Sequence, residues 1–464
     1  MKRLMALITI VISATTLASP AKTLPANPAE LAAVYLDFMH STSAQSEQLW
    51  PGFRLEDKVQ FISLDGNVWL QRPHGQIIQD NQLLSTVNLQ TGLALNVGFP
   101  DYQGQPSVLL QVEQPEKVFG ADALTDVGIL TWAGNSIHEA FHFYGQSEWP
   151  VLEQQVLLKG EVYPLNQNAR FARSQLFQYL LTALTHPAER QANLAQAAYW
   201  LQHWRNIAPL EDQVGFANDL IEGSAAYVAL MSGVNLVKDA ALTDDNEAVA
   251  TQFIADYFAK AHQLGWDSEA QDIGAVTGVL LDAIQGPLQW KDAAMEGVLP
   301  LDMLLGQINA AAPDDQANPN LAAKVQNQFD YYAETNQSLA GLLASVDNPS
   351  MPMLVLPSLT DSAVFLDTGK IRSGFYIVPY QDGVVQAFLG VNTQFDNLNF
   401  MSSNVLELLN QNFCDGLDSV TLVPVTGLHH VENGFLVMEQ ADVQGMIRVI
   451  PTQVDGRILY CAVL

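Results

Sequence analysis

The segment Ile137-His138-Glu139-Ala140-Phe141-His142-Phe143 constrains this chain more than any other, because it commits two imidazoles and a carboxylate to neighbouring helical positions. In an α-helix, side chains four residues apart lie one above the other. His138 and His142 can therefore offer ring nitrogens to one cation, with Glu139 one step round beside it. Zinc ligated by neutral imidazoles lowers the pKa of a bound water to about 7. A carboxylate placed like Glu139 can accept that water's proton, which makes it the candidate general base of a carbonyl hydrolysis. With nine histidines in 464 residues, the pattern arises by accident in about one such chain in a hundred. The bland alternative is a helix that merely carries two histidines.

The flanks suit a buried active-site helix. Ile137, Ala140, Phe141 and Phe143 supply an apolar face, and residues 125–132 read as a strand that ends at Gly134-Asn135-Ser136, a polar start for the helix.

On these residues, and on Glu222-Gly223-Ser224-Ala225-Ala226-Tyr227 further along, the chain resembles the zincin metallopeptidases. More narrowly it resembles the gluzincins, the thermolysin-like group whose third zinc ligand is a glutamate on a later helix. The second segment is similar to the Glu-Gly-x-Ala-x-Tyr stretch of bacterial secreted gluzincin-like proteins. The resemblance covers about residues 125–305 and implies an α+β fold. It implies a zincin-like core of mixed sheet and active-site helix, then a helical subdomain. It also implies Zn2+ held by His138, His142 and Glu222.

The chain departs from the thermolysin-like pattern in two places. The interval from His142 to Glu222 is long, 222 − 142 = 80 residues, which calls for an inserted helical region. Where thermolysin-like enzymes carry a carboxylate that orients a zinc histidine, this chain has Ala226. Support for the far ring nitrogen must then come from elsewhere, with Asp219 and Glu211 as candidates. A rival third ligand is Glu148, since His138-Glu139-x-x-His142-x-x-Gly145-x-x-Glu148 has the spacing of the metzincin signature with Glu in place of its last His or Asp. Donors for a developing oxyanion are not singled out: Tyr227 falls about 140° round the helix from Glu222, and Tyr257, His203 and His262 are equal candidates.

At the start, Met1-Lys2-Arg3 precedes an apolar run over 4–17, and small residues follow at 18–21. This is the pattern of a secretory signal peptide over 1–21. The run is shorter than the roughly 20 apolar residues a membrane span needs, so an exported protein, periplasmic or secreted and without a membrane span, is expected. The formal charge of −29 leaves no basic footprint for nucleic acid. The only cysteines, Cys414 and Cys461, can form one disulfide in an oxidising compartment, two free thiols being the alternative.

The rest of the chain sorts into three stretches. Residues 22–164 form an N-terminal α/β part, opening with a helix over 29–39. A hairpin follows, with strands 59–64 and 68–71 flanking Asp65-Gly66-Asn67, and further strands are expected at 93–98 and 108–112. Residues 165–345 read as a helical subdomain carrying the third ligand, with periodic segments at 171–183, 194–204 and 249–264. Its small-residue segment Gly274-Ala275-Val276-Thr277-Gly278 reads as a helix-packing surface. Residues 352–464 form a C-terminal β-sandwich or barrel, with Asp382-Gly383, Asn433-Gly434 and Asp455-Gly456 as hairpin turns. His429-His430 reads as a solvated loop pair.

Two function classes follow. One is a zinc-dependent metallopeptidase acting on peptide or protein substrates with Glu139 as general base, with an esterase or amidase on the same chemistry as a smaller possibility. The other is an exported binding or structural protein whose zincin-like core has lost activity. The substrate and the oligomeric state are not legible in the sequence.

Overall fold

A computed structural model describes residues 27–73, 75–81, 95–113, 126–150, 161–240, 253–255, 258, 268–313, 318–358, 374–381, 383–408, 414 and 419–463. The expected signal peptide and most of the expected helix at 249–264 lie outside these. The fold is mixed α+β. Two compact units emerge: the described residues of Met1–Val156, Ala172–His203 and Gly215–Gln316, and those of Leu157–Phe171, Trp204–Val214 and Ala317–Leu464. Among the described residues no helix is long and apolar enough to cross a membrane.

The first unit opens with α1 (Pro28–Leu49). Asn27 caps it by accepting from the Glu30 amide at 3.0 Å, which satisfies one helix-end donor, and its side-chain amide donates to the Glu30 carboxylate at 3.0 Å. The helix outlasts the expected 29–39 stretch by a run of serines, threonine and glutamines. The reason is local: Ser43 and Ser46 return their hydroxyls to the Met39 and Ser43 carbonyls, so these side chains are buried without loss of polar partners.

A mixed sheet follows, built from β1 (Val59–Leu64), β2 (Asn67–Gln71), β3 (Ile77–Gln79), β4 (Leu95–Gly98), β5 (Asp101–Tyr102) and β6 (Gln105–Val112). The strand order is β3-β2-β1-β6-β4, with β5 also on β6. β1 runs parallel to β6, and the other pairs are antiparallel. The expected hairpin is present with Leu64 facing Asn67, so the turn proper is Asp65-Gly66 at φ +46° and +79°. Two left-handed residues match the strand twist in a tight hairpin, which is why Asp-Gly favours it. Of the expected strand at 93–98, residues 93 and 94 lie outside the described residues.

The stretch before the motif differs from expectation. Residues 125–132 were expected as a strand, but α2 (Asp126–Ala140) is helical throughout. A short apolar run is ambiguous by periodicity alone. The backbone of the histidine helix continues back to Asp126, and the buried side chains Ala133, Ile137, Ala140 and Phe141 recur at three- and four-residue spacing along its later part. Tyr35 of α1 donates to Ser136 of α2 at 2.9 Å, within a buried interface.

The helical stretch contains α3 (Gln167–Thr185), α4 (Arg190–Ile207), α5 (Pro209–Ala240) and α6 (Glu269–Gln285). The short helices α7 (Lys291–Met295) and α8 (Pro300–Leu305) follow. α9 (Pro319–Tyr331) and α10 (Ala333–Asp347) precede the second sheet.

Among the described residues that sheet has nine strands: β7 (Met353–Pro357), β8 (Gly374–Tyr380), β9 (Gly383–Phe395), β10 (Asn397–Leu408), β11 (Val420–Pro424), β12 (Leu428–Glu432), β13 (Phe435–Glu439), β14 (Val443–Val454) and β15 (Arg457–Ala462). Its path β12-β13-β14-β15-β7-β11-β10-β9-β8 gains an extra β14–β10 pairing, so the pairings β14-β15-β7-β11-β10 close on themselves. β10 serves two partners by bending at irregularities between Phe400 and Val405, pairing with β14 before them and with β11 after them. Gly445 makes the closure sterically feasible. It sits at φ +127°, and a Cβ there would lie 2.0 Å from the Asn397 carbonyl oxygen. Leu354, Phe388, Leu398, Ile447 and Tyr460 belong to the core cluster this unit encloses.

Asn433-Gly434 and Asp455-Gly456 occupy two-residue turns with positive φ. The third expected turn shifts: Gly383 already pairs with Tyr380, and Gln381 takes the positive φ. Asp382 lies outside the described residues. Cys414 and Cys461 are joined as expected, Cα–Cα 5.8 Å apart. His429 and His430 lie on strand β12, not in a loop; His430 is exposed and His429 half-buried.

Candidate metal centre

α2 runs straight into a single π-helical turn, Phe141–Gly145, so the first histidine of the motif is α-helical and the second is not. The Gln146 amide bonds the Phe141 carbonyl at 2.9 Å, five residues back. One widened turn of this kind is uncommon and concentrates at functional sites. Here it leaves His142 near His138 with the Gln146 carboxamide at His142 Nδ1.

The two imidazoles meet edge to face with centroids 4.6 Å apart. Their Nε2 atoms are 3.0 Å apart. Glu222, on α5, reaches both: its Oε2 is 3.2 Å from His138 Nε2 and its Oε1 is 3.5 Å from His142 Nε2. These donor atoms all lie within 4.8 Å of one another. Ligand atoms held about 2.0–2.1 Å from a tetrahedral zinc are roughly 3.3 Å apart from each other. The Nε2–Nε2 distance and the approach of one Glu222 oxygen to each ring fall near that spacing, Oε2 facing His138 and Oε1 facing His142, so the donor set suits zinc.

The surroundings favour a cation. Burial lowers the proton affinity of His142, but the Glu222 and Glu139 charges and the bonds to Glu222 and Gln146 outweigh it and push its pKa up to about 9. Burial acts oppositely on Glu222 and is likewise outweighed, by the charge on His142 and by hydrogen bonds from both rings, so its carboxyl is held well below the usual range. Positive charge is thus stabilised where the three donors meet, and a metal entering there displaces a proton.

The supporting contacts were not legible in the sequence. Gln146, fully buried, accepts from His142 Nδ1 at 2.6 Å and donates to the Ile221 carbonyl at 2.9 Å. The bond to Ile221 fixes which end of the carboxamide is oxygen. His142 therefore carries its proton on Nδ1 and turns Nε2 towards the other donors. Gln271 on α6 donates to Glu222 Oε2 at 3.1 Å. His138 Nδ1 is buried and has no hydrogen-bond partner among the described residues. The only advance signal was that Gln146 lies four positions after His142.

Several expected roles go elsewhere. Asp219 does not reach a histidine: both its oxygens accept from Arg173 at 2.7 Å, and Arg173 also donates to Glu269 at 3.1 Å. Glu211 accepts from Arg170 and from Trp204 Nε1. In each case a buried arginine claims the carboxylate, because a buried guanidinium must be paired. Tyr227 is 2% exposed and donates to Asp282 at 2.5 Å, so it belongs to the core instead of facing the donor cluster. His203 stacks on Tyr199 along α4. Tyr257 and His262 lie outside the described residues. Glu148 is exposed in the turn after the π-helix and is not among the clustered donors, whereas Glu222 is. Glu139 is half-buried beside the cluster.

No protein-family model matches this chain, and no curated protein or solved structure matches it significantly.

Proposed function

We propose that the protein is an exported zinc-dependent metallopeptidase, periplasmic or secreted, with a zincin-like core of the gluzincin kind. The observation that carries the reading is the convergence of His138, His142 and Glu222, whose donor atoms lie within 4.8 Å of one another, with Glu139 alongside. Bound zinc supplies Lewis acidity and a water that ionises near neutral pH. His138 and His142 would hold the metal through Nε2, and Glu222 would supply the one negative charge of the ligand set. Glu139 is not one of the three clustered donors, so its carboxylate remains free to take a proton from the attacking water and return it to the leaving amine. Gln146 holds the His142 ring in one tautomer throughout.

The reading is tested on purified mature protein by zinc analysis and by digestion of a broad peptide library. One zinc per chain is expected, lost in His142→Ala and Glu222→Ala and kept in Glu148→Ala. Glu139→Gln should keep zinc and fold while losing about 10²–10⁴ in rate. If wild type and Glu139→Gln process the library alike, or both hold zinc and neither cuts, hydrolysis is wrong and a metal-stabilised binding protein takes its place.

A further inference from the structure

Helices α5 and α6 cross at a pair of glycines. A Cβ added to Gly274 would lie 2.1 Å from Gly223 Cα, and one added to Gly223 would lie 2.7 Å from Gly274 Cα. Neither position has room for any side chain, and the two backbones are in direct contact. Gly223 directly follows Glu222, and Gly274 lies three residues, about one turn, after Gln271. The crossing therefore brings the Gln271 side chain, 2% exposed, onto the Glu222 carboxylate, where Nε2 donates to Oε2 at 3.1 Å.

From this geometry, and resting on the zinc site proposed above, we infer that Gln271 is the positioning residue of the third metal ligand, delivered to Glu222 by the Gly223–Gly274 crossing. A carboxylate turns freely about its last bond, and the carboxamide of Gln271 removes that freedom from half-buried Glu222 by tying down one oxygen. A neutral donor does so without adding charge, so Glu222 remains the single anionic ligand. A lysine or arginine in place of Gln271 would compete with the metal for the carboxylate, and a glutamate would repel it. The small-residue segment 274–278 thus has a role beyond helix packing: it sets how closely the α6 face bearing Gln271 approaches the ligand.

The test is zinc affinity of the full mature chain, measured by competition with a chromophoric chelator, beside the thermal midpoint of the metal-free protein. Gln271→Met keeps the length of the side chain and loses the donor, and should weaken zinc binding 10–100-fold with the metal-free fold intact. Gly274→Ala forces the helices apart and should weaken zinc binding at least as much. Leu280→Ala removes a fully buried α6 side chain away from the crossing; it should lower the thermal midpoint and leave zinc affinity unchanged. If Gln271→Met binds zinc as wild type does, the inference fails while the metal site stands. It fails equally if Leu280→Ala loses zinc as Gln271→Met does, since the effect is then general destabilisation. If wild type itself takes up no zinc, the hydrolase reading fails and this inference with it.

Discussion

Replacing Gln146 by leucine should disconnect the second histidine from its support without touching a ligand. The carboxamide makes two bonds, to His142 Nδ1 at 2.6 Å and to the Ile221 carbonyl at 2.9 Å, in a position with no solvent access. Leucine fills much of the volume but leaves the Ile221 carbonyl and the His142 Nδ1–H unsatisfied. A buried polar group that loses its partner costs about 1–3 kcal/mol, so the fold should be destabilised by about 2–6 kcal/mol. The metal site suffers separately, because a free imidazole must be ordered again on binding. Loss of an outer partner of a zinc histidine weakens affinity about 10–100-fold, which corresponds to roughly 1.4–2.7 kcal/mol. Chelator competition reads the second quantity and chemical denaturation of metal-free protein reads the first. Gln146→Glu, which keeps the acceptor for Nδ1–H and loses the donor to Ile221, should retain zinc better than Gln146→Leu. If Gln146→Leu binds zinc within twofold of wild type, the carboxamide does not orient His142 and the π-turn has no part in holding the metal site.

Three further outcomes are expected. Arg173→Met removes the guanidinium that both oxygens of buried Asp219 accept from, and breaking such a pair from one side should cost about 3–5 kcal/mol in urea or thermal unfolding; a change under about 1 kcal/mol would mean the Asp219 carboxylate finds other relief. Replacing Cys414 and Cys461 by serine opens a covalent loop with sequence separation 47, and loop entropy sets the loss at about 4 kcal/mol at most; denaturation with and without reductant checks it. In metal-free protein, His142 has a pKa raised to about 9, so its contribution is full below its ordinary value and disappears as pH rises through about 9. Glu222, held low, contributes above its ordinary value and loses that contribution on acidification. Stability of the metal-free wild type should accordingly fall between about pH 6.5 and 9.5 more steeply than that of His142→Ala; equal slopes would refute the pairing.

Much of the centre was legible in the chain itself, because helix geometry is periodic. Four-residue spacing predicts that His138 and His142 lie together, although the second histidine falls in a π-turn, and Glu222 was singled out by the resemblance of its segment to the gluzincins. Tight turns were legible for the same local reason: Asp65-Gly66, Asn433-Gly434 and Asp455-Gly456 are residues that tolerate positive φ at low cost. Residues 126–132 fit a strand or a buried helix equally well as a short apolar run, and the helix that contains them is seen only in the structure. The second pairing of β10 was invisible, since it depends on where a bend aims the strand and on a glycine facing the Asn397 carbonyl. The same distinction governs the supporting residues. Asp219 and Glu211 carry the charge expected of a histidine's partner, yet buried Arg173 and Arg170 take them, while uncharged Gln146 and Gln271 fill the roles beside the ligands. Hydrogen bonding at the centre is decided by which side chains a π-turn and a glycine crossing bring within about 3 Å, and those distances exist only once distant segments have packed.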